Sequence, residues 1–481
     1  MIKINKSVLR DKIYACWIGK NIGGTMGGPF EGTTEIQHIE GFTTPEGTVL
    51  PNDDLDLQLI WLKALEDKGA YNINSHLLGE YWLNYIPPSW NEYGIGKSNL
   101  MLGLLPPLSG EYENYWKNSN GAWIRSEIWA CVTPGCPDVA IKYAVEDAMV
   151  DHGMSEGTYA EMFTAAVESA AFVCDDIFDL IKIGLSKIPQ NCRVAQSVRT
   201  AVECYHKNLD WKEARERIVK ENRDLGWFQA PGNIAFTIIG LLWGGGDFKK
   251  SMTIAINCGD DTDCTGATCG ALLGIMGGTA AIPADWRKYI GDSIVTIAIN
   301  RGDAWGMPTT CTELTNRVMV LTPQVLYANK CFNVNLTDEE QDLSELKIGD
   351  LCNTSEAKKI YSRPAWSYEI EFIHAKATVI FDAEPRISPN GTLKCKLSVI
   401  STLPEPRNIT FKWHLPEGWS VAGPGSAYLR HYYPEPQHGP TVSEFTITAG
   451  EHVEPFQRLI VEAAAPGRPT VGLIPVTVLG N

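Results

Sequence analysis

Two short acidic runs carry the residue types and spacing of a metal site. Asp260-Asp261-Thr262-Asp263 follows Asn257-Cys258-Gly259 and precedes the small-residue stretch Cys264-Thr265-Gly266-Ala267-Thr268-Cys269-Gly270-Ala271, so three carboxylates open a Gly/Ala-rich helix. A second run, Asn52-Asp53-Asp54-Leu55-Asp56, opens another apolar-periodic segment near the other end of the helical region. Carboxylate oxygens are the natural ligands of hard cations such as Mg²⁺, and a bare acid cluster is repulsive unless a cation, a helix N-terminus or solvent offsets it. The two runs are therefore expected to be halves of one site. The plainer explanation is dipole complementation, for which one acid per helix, worth about 0.3–1 kcal/mol, is enough.

The elements that must position these acids are helical. From Ser7 to about Leu326, Ala, Leu and Ile recur at helix spacing, with Gly or Pro at the ends. Asp53 to Asp67 reads as a helix capped by Asn52 with Leu55, Leu59, Leu62 and Leu65 inward, and Ile234 to Trp243 as one stopped by Gly244-Gly245-Gly246. A short helix over Asp247 to Ala255 follows, with the acid cluster at its exit. Gly19, Gly23 and Gly27, four apart, put small residues on one helix face where a neighbour can approach closely, unless Gly27 already lies in a loop.

From about Thr378 the pattern changes to short β-branched runs between Pro/Gly/Asn turns, such as Thr378-Val379-Ile380-Phe381, Leu393-Lys394-Cys395-Lys396-Leu397 and Ile409-Thr410-Phe411-Lys412-Trp413. Ser388-Pro389-Asn390-Gly391 is a turn between two of them. The expected fold is mainly α: a helical domain over 1–330, a linker over 331–370 and a small β-sandwich over 371–481.

Composition narrows the partners. The 481 residues are 44% hydrophobic and 20% charged, with 41 basic and 57 acidic side chains and a formal charge of −16. That balance disfavours nucleic acid or an anionic membrane, either of which wants a clustered basic surface. Thirteen cysteines without paired-motif spacing read as reduced thiols, and Met1-Ile2-Lys3-Ile4-Asn5-Lys6 lacks a secretory apolar run. No apolar stretch is expected to span a bilayer, and the expected compartment is the cytoplasm.

Taken in order, Ala15-Cys16-Trp17-Ile18-Gly19-Lys20-Asn21-Ile22-Gly23-Gly24-Thr25-Met26-Gly27-Gly28-Pro29-Phe30-Glu31-Gly32, Asn52-Asp53-Asp54, Asn120-Gly121-Ala122 with Arg125, Asp151-His152-Gly153, and Gly259-Asp260-Asp261-Thr262-Asp263 followed by Gly270-Ala271-Leu272-Leu273-Gly274 resemble the ADP-ribosylglycohydrolase family over roughly residues 8 to 320. The resemblance implies an all-α domain with a Mg²⁺ pair at its centre, with Mn²⁺ or Ca²⁺ as alternatives, hydrolysing a glycosidic bond at C1 of a ribose. Its metal ligands fall on Asn52, Asp53, Asp54, Asp261 and Asp263, and its catalytic group on Glu31, Asp54 and Asp261. Its substrate-side positions fall on Asn120, Gly121, Ala122, Arg125 and His152, of which Arg125 and His152 have structural alternatives. Asn52 stands where the family has Thr, and its amide oxygen still suits a hard cation. Cys264 stands where a Thr is usual and is a poor Mg²⁺ ligand, so a ligand is expected from Thr262, Thr265 or water, or weak binding of the second ion. Asp260 is an extra acid where relatives more often carry Gly. The loop before Asn120 lacks a glycine common in relatives, which puts a diphosphate cradle there in doubt.

Rings crowd the segment from Tyr81 to Trp129: Tyr81, Trp82, Tyr85, Trp90, Tyr93, Tyr112, Tyr115, Trp116, Trp123 and Trp129. With Pro87-Pro88 and Pro106-Pro107 they read as loops over a cleft that stacks on a carbohydrate-like ligand, or as rings filling helix interfaces. The segment Leu415-Pro416-Glu417-Gly418-Trp419 is similar to segments of accessory domains in bacterial glycosidases, domains that also pack or self-associate into homo-oligomers. Three functions follow as expectations: hydrolysis of a ribosyl or related furanosyl bond in a small molecule, hydrolysis of a furanose-containing glycan, or a catalytically silent metal- and ligand-binding protein.

Overall fold

Glycines spaced four apart bring together the two helices at the centre of the helical unit. Gly19, Gly23 and Gly27 all lie in the helix Lys6–Gly27, started by Asn5, whose side chain accepts from the Ser7 and Val8 N–H groups. In this computed structural model, which describes residues 1–430 and 439–481, that helix runs against Thr262–Ala281. A Cβ on Gly19 would stand 2.1 Å from Gly270 O, one on Gly23 2.1 Å from Gly266 C, and one on Gly27 2.2 Å from Thr262 O. The backbones therefore touch directly, in an antiparallel register that only residues without side chains permit. By length and composition Thr262–Ala281 is apolar enough to cross a membrane, contrary to the expectation that no stretch would be; it is mostly buried as the core helix here.

The chain divides into two compact units. The first comprises Met1–Lys97 and Glu113–Tyr361, the second Ser98–Tyr112 and Ser362–Asn481. In the first, strand β1 (Ile2–Asn5) pairs in parallel with β2 (Val334–Thr337), Ile2 opposite Val334. Strand β2 and the short helices Ile348–Leu351 and Ser355–Tyr361 occupy the stretch expected as a linker, and this unit runs to Tyr361. The helix Asp53–Lys68 is capped by Asn52, and Leu55, Leu59, Leu62 and Leu65 are buried. The helix Ala230–Gly244 ends on Gly245 in the left-handed conformation. Phe248–Asn257 follows, capped by Asp247.

The second unit is a sandwich of two five-stranded sheets. One has the order β3 (Ser367–Phe372), β4 (Ala375–Ile380), β6 (Thr392–Ser401), β10 (Thr441–Thr448), β8 (Ser420–Ala422). The other has the order β5 (Arg386–Ile387), β12 (Val471–Gly480), β11 (Phe456–Ala464), β7 (Arg407–His414), β9 (Ser426–Leu429). Alternate residues point inward: Ala377, Val379, Leu397, Val399, Leu459, Val461, Val476 and Val478 form the core, as period-two burial requires.

Of the two readings of the ring-rich segment, filling of helix interfaces holds for Trp82, Trp123 and Trp129, while Trp90, Tyr112, Tyr115 and Trp116 lie in the stretches between helices. The segment forms the helices Ser75–Tyr85, Asn91–Met101 and Leu108–Glu111. Trp82, Trp123 and Trp129 are buried, and Trp129 stacks on Tyr143 with centroids 5.4 Å apart. Residues 98–112 belong to the sandwich unit, where Leu104 and Leu108 enter its core and the Thr477 hydroxyl donates to Gly103 O. Large apolar rings in these positions gain more from burial than from facing solvent.

Candidate metal centre

The helix register carries the Thr262 end of one core helix to the Gly27 end of the other, and the loop that follows Gly27 brings in Glu31. Gly32 N–H donates to Asp260 O (2.9 Å) and Asp260 N–H to Thr33 O (2.8 Å), which ties the Glu31 loop to the acid-cluster turn. The helix Asp53–Lys68 enters with its N-terminus. Asn52, set against Gly24, caps it by accepting from Asp54 N–H (2.8 Å). Metal-ligating atoms of Asp54, Asp263 and Cys264 lie within 4.8 Å of one another, and so do those of Glu31, Asp261 and Asp263. Asp263 belongs to both groups. Two adjacent subsites with one shared carboxylate result.

Dipole complementation does not explain these acids. Asp261 sits at the N-cap of Thr262–Ala281, yet its side chain makes no capping hydrogen bond. It turns instead toward the site, where its Oδ2 accepts from Asn120 Nδ2 at 2.6 Å. Among the described residues, Asp54 Oδ2, Asp261 Oδ1 and Asp263 Oδ1 are buried without a hydrogen-bond partner. Buried polar oxygens are nearly always paired, so three convergent orphans among carboxylates fit a hard cation bound between them.

The electrostatics of the ion-free cluster say the same. Burial, then Asp263, pushes Asp53 up to about 6. Crowding at the carboxylate, then Asp263 and Asp53, pushes Glu31 up to about 8, although its side chain as a whole is open to solvent at the rim. Burial holds Asp54 well above the carboxylate range despite Lys20. Lys20 is a buried cation beside the cluster: its Nζ is 2.6 Å from Glu127 Oε1 and 4.0 Å from Asp54 Oδ2. Burial alone would lower its pKa, but Glu127 and Asp54 outweigh that and keep it charged.

Other candidates behave differently. Cys264 is a hydrogen-bond donor: burial and the surrounding carboxylates push its thiol well up, and the protonated Sγ donates to Asp54 Oδ1 at 3.3 Å. The expected substitute ligands are engaged elsewhere, with Thr262 Oγ1 donating to Gly27 O and Thr265 Oγ1 to Thr262 O. Asn120 is brought to the cluster through Asp261, and its own oxygen accepts from Trp123 Nε1 (3.0 Å). Gly121 packs on Glu92 and Tyr93, and Ala122 is buried.

Arg125 does not face a ligand. It is wholly buried, with Nε on Asp147 (2.9 Å) and Nη2 on Asp151 (2.8 Å), Nη1 donating to Gly121 O, and its guanidinium 4.9 Å from the Trp82 ring centroid. A buried guanidinium needs such partners, and taking them leaves it structural. His152 is likewise buried, its Nδ1 2.9 Å from Asp151 Oδ1 and its Nε2 3.3 Å from Ser119 Oγ.

Two groups of the site escaped sequence reasoning. The Tyr93 hydroxyl donates to Asp53 Oδ2 (3.1 Å), and Lys20 backs Asp54. Lys20 lies in the glycine-rich first motif and Tyr93 in the ring-rich segment, but nothing in either pattern ties them to the acids, so only spatial proximity identifies their role.

The sequence profile described as ADP-ribosylglycohydrolase matches residues 5–318. No curated protein matches the sequence. Among solved structures, a chain of an ADP-ribosylglycohydrolase-related protein complex is 19% identical over 66% of this chain and 99% of its own, with a TM-score of 0.42. A FixG-related protein from Vibrio parahaemolyticus is 10% identical over 23% of this chain and 99% of its own, with a TM-score of 0.19.

Proposed function

The chain belongs to the ADP-ribosylglycohydrolase family, and from that premise we propose that it is a Mg²⁺-dependent hydrolase of a ribosyl or related furanosyl glycosidic bond. The observation that carries the metal dependence is the convergence of the unpartnered Asp54, Asp261 and Asp263 oxygens. Asp53, Asp54, Asp261 and Asp263 would hold the cation or cation pair, with Asn52 fixing the helix start that presents two of them. Bound there, the metal would fix vicinal sugar hydroxyls and lower the pKa of a water.

The chain's own residues do the rest. Asn120 holds the Asp261 carboxylate in one orientation and Tyr93 holds that of Asp53, so neither has to reorient during reaction. Glu31, at the rim beside Asp261 and Asp263, takes the proton from the attacking water, the part of a general base within reach of the metal-held acids. Thirteen free thiols fit a reducing compartment such as the cytoplasm.

The burial of Asn120-Gly121-Ala122 favours a second reading of the substrate. Gly121 O is engaged by Arg125, and a Cβ at Gly121 would stand 2.0 Å from Glu92 Oε1, so this loop offers little room for a diphosphate beside a carboxylate. A furanose glycoside or oligosaccharide without phosphate suits it better. Release of free sugar, with EDTA or with added Mg²⁺, from ADP-ribosylated protein, nucleosides, and aryl and oligomeric furanosides tests both readings. Metal-dependent release from the ADP-ribosyl compound supports the first and from furanosides alone the second. Silence on all of them despite Mg²⁺ binding would leave a metal- and ligand-binding protein.

A further inference from the structure

Next to the acid clusters lies a cavity of about 200 Å³ lined by Trp227, Phe236, Val219, Arg223, Thr34 and Asp260. It adjoins the chemistry through the backbone, since Asp260 precedes Asp261 and is tied to Gly32 and Thr33 beside Glu31. Trp227 is 49% exposed, and its Cζ3 lies 3.6 Å from where a Cβ on Gly32 would be. An indole left half in solvent against the Glu31 loop is a surface on which a flat ring can stack. Apolar cavities of about 150 Å³ accept benzene, so this one has room for a substituted ring.

Its charged groups point to the ring's chemistry. Arg215 lines the same cavity but is engaged: Nε donates to Cys258 O (2.9 Å), Nη2 to Thr34 O, and Nη1 to Glu216 (2.7 Å). Arg223 makes no ion pair or hydrogen bond among the described residues. A ligand placed here therefore meets one unengaged guanidinium.

Asp260 shows that the arrangement is held in place. Its φ is +69°, a conformation that glycine adopts freely and aspartate adopts under strain. Its carboxylate accepts from Phe228 N–H (2.9 Å) and Asn233 Nδ2 (3.4 Å), and Phe228 is itself left-handed at φ +58°. The side chain thus fixes the turn that presents Trp227, whose ring centroid is 4.3 Å from that of Phe228.

We propose that this cavity receives the leaving group of the glycosidic bond, a planar aromatic or heteroaromatic ring with an anionic or hydrogen-bond-accepting substituent. Trp227 stacks on the ring, Arg223 pairs with the substituent, and Asp260 is a positioning residue. The proposal rests on the hydrolase reading above. In that reaction the bond from the anomeric carbon to the ring's oxygen or nitrogen breaks, the water's hydroxyl joins the carbon, and its proton ends on the leaving group.

The test titrates the full chain, loaded with Mg²⁺, with 4-nitrobenzoate as a free ring, and separately with Mg²⁺ alone. Saturable binding of the ring is expected, weakened about fivefold or more in Trp227→Ala and similarly in Asp260→Gly, which keeps the backbone conformation and removes the carboxylate. Asp260→Asn, which tolerates positive φ and still accepts from Phe228 N–H, should retain ring binding, and Mg²⁺ affinity should be the same in Trp227→Ala as in the parent. No binding to the parent protein, or equal binding to Trp227→Ala, overturns the subsite. Sugar release in the presence and absence of EDTA is read in parallel: a protein that binds the ring through Trp227 but releases no sugar refutes the hydrolase and keeps the cavity's ring site, whereas metal-dependent release without ring binding does the reverse.

Discussion

Replacing Asp263 by Asn should stabilise the metal-free protein and weaken its response to Mg²⁺. Asp263 is the carboxylate common to both subsites. In the ion-free protein it raises the pKa of Asp53, after burial itself, to about 6 from an ordinary 3.8. A carboxylate whose folded pKa lies above its unfolded value favours folding fully only below the unfolded pKa, and that contribution is lost as pH rises through the folded value. At neutral pH the shift on Asp53 corresponds to about 3 kcal/mol of strain. Burial takes the larger part, so Asp263→Asn should relieve on the order of 1 kcal/mol, raising the midpoint of thermal unfolding in EDTA by roughly 2 °C for a domain of this size. Saturating Mg²⁺ should do the opposite to the comparison. A cation at a hundredfold excess over its dissociation constant stabilises the parent by about 2.7 kcal/mol, and losing a shared ligand should remove at least half of that along with turnover. Thermal unfolding of both proteins at pH 7.5, in EDTA and in Mg²⁺, measures the two effects together. A variant that melts lower in EDTA and responds to Mg²⁺ as the parent does would show Asp263 to be a structural acid, and the site would have to be abandoned.

Three further outcomes are expected. Because Asp53 and Glu31 hold protons up to about pH 6 and 8 in the ion-free protein, Mg²⁺ binding should release protons and tighten from pH 5.5 to 8, as calorimetry in buffers of different ionisation enthalpy would reveal; pH-independent binding contradicts this. Cys264→Thr keeps a donor for Asp54 and should bind Mg²⁺ as the parent does, whereas Cys264→Ala should lose about 1 kcal/mol of stability or metal affinity, read by unfolding and titration. Gly23→Ala places a Cβ about where the Gly266 backbone lies and should cost about 3 kcal/mol or more and disturb the acid cluster, while Gly28→Ala, with only Leu50 Cδ1 at 3.5 Å, should leave the unfolding midpoint within about 0.5 kcal/mol of the parent.

What the sequence by itself determined are features whose cause is local. The cap at Asn52, the stop at Gly245 and the turn at Ser388-Pro389-Asn390-Gly391 depend on neighbouring residues, and all three stand where composition and spacing put them. The glycine spacing of the first helix also predicted close approach, because a four-residue repeat defines a face whatever packs on it. The partner of that face, Thr262–Ala281, was not legible, since nothing local says which of many small-residue helices it meets.

Tertiary structure decided everything that depends on such pairings. It brought Tyr93 to Asp53 and Lys20 to Asp54, turned Cys264 from a doubtful ligand into a donor, and enclosed Arg125 between Asp147 and Asp151. It also assigned residues 98–112 to the sandwich, more than 250 residues away in sequence from the strands they pack on. The physical reason is common to these cases: a side chain's charge state and partners are set by what is buried against it, and burial joins segments whose sequence separation carries no signal of their contact.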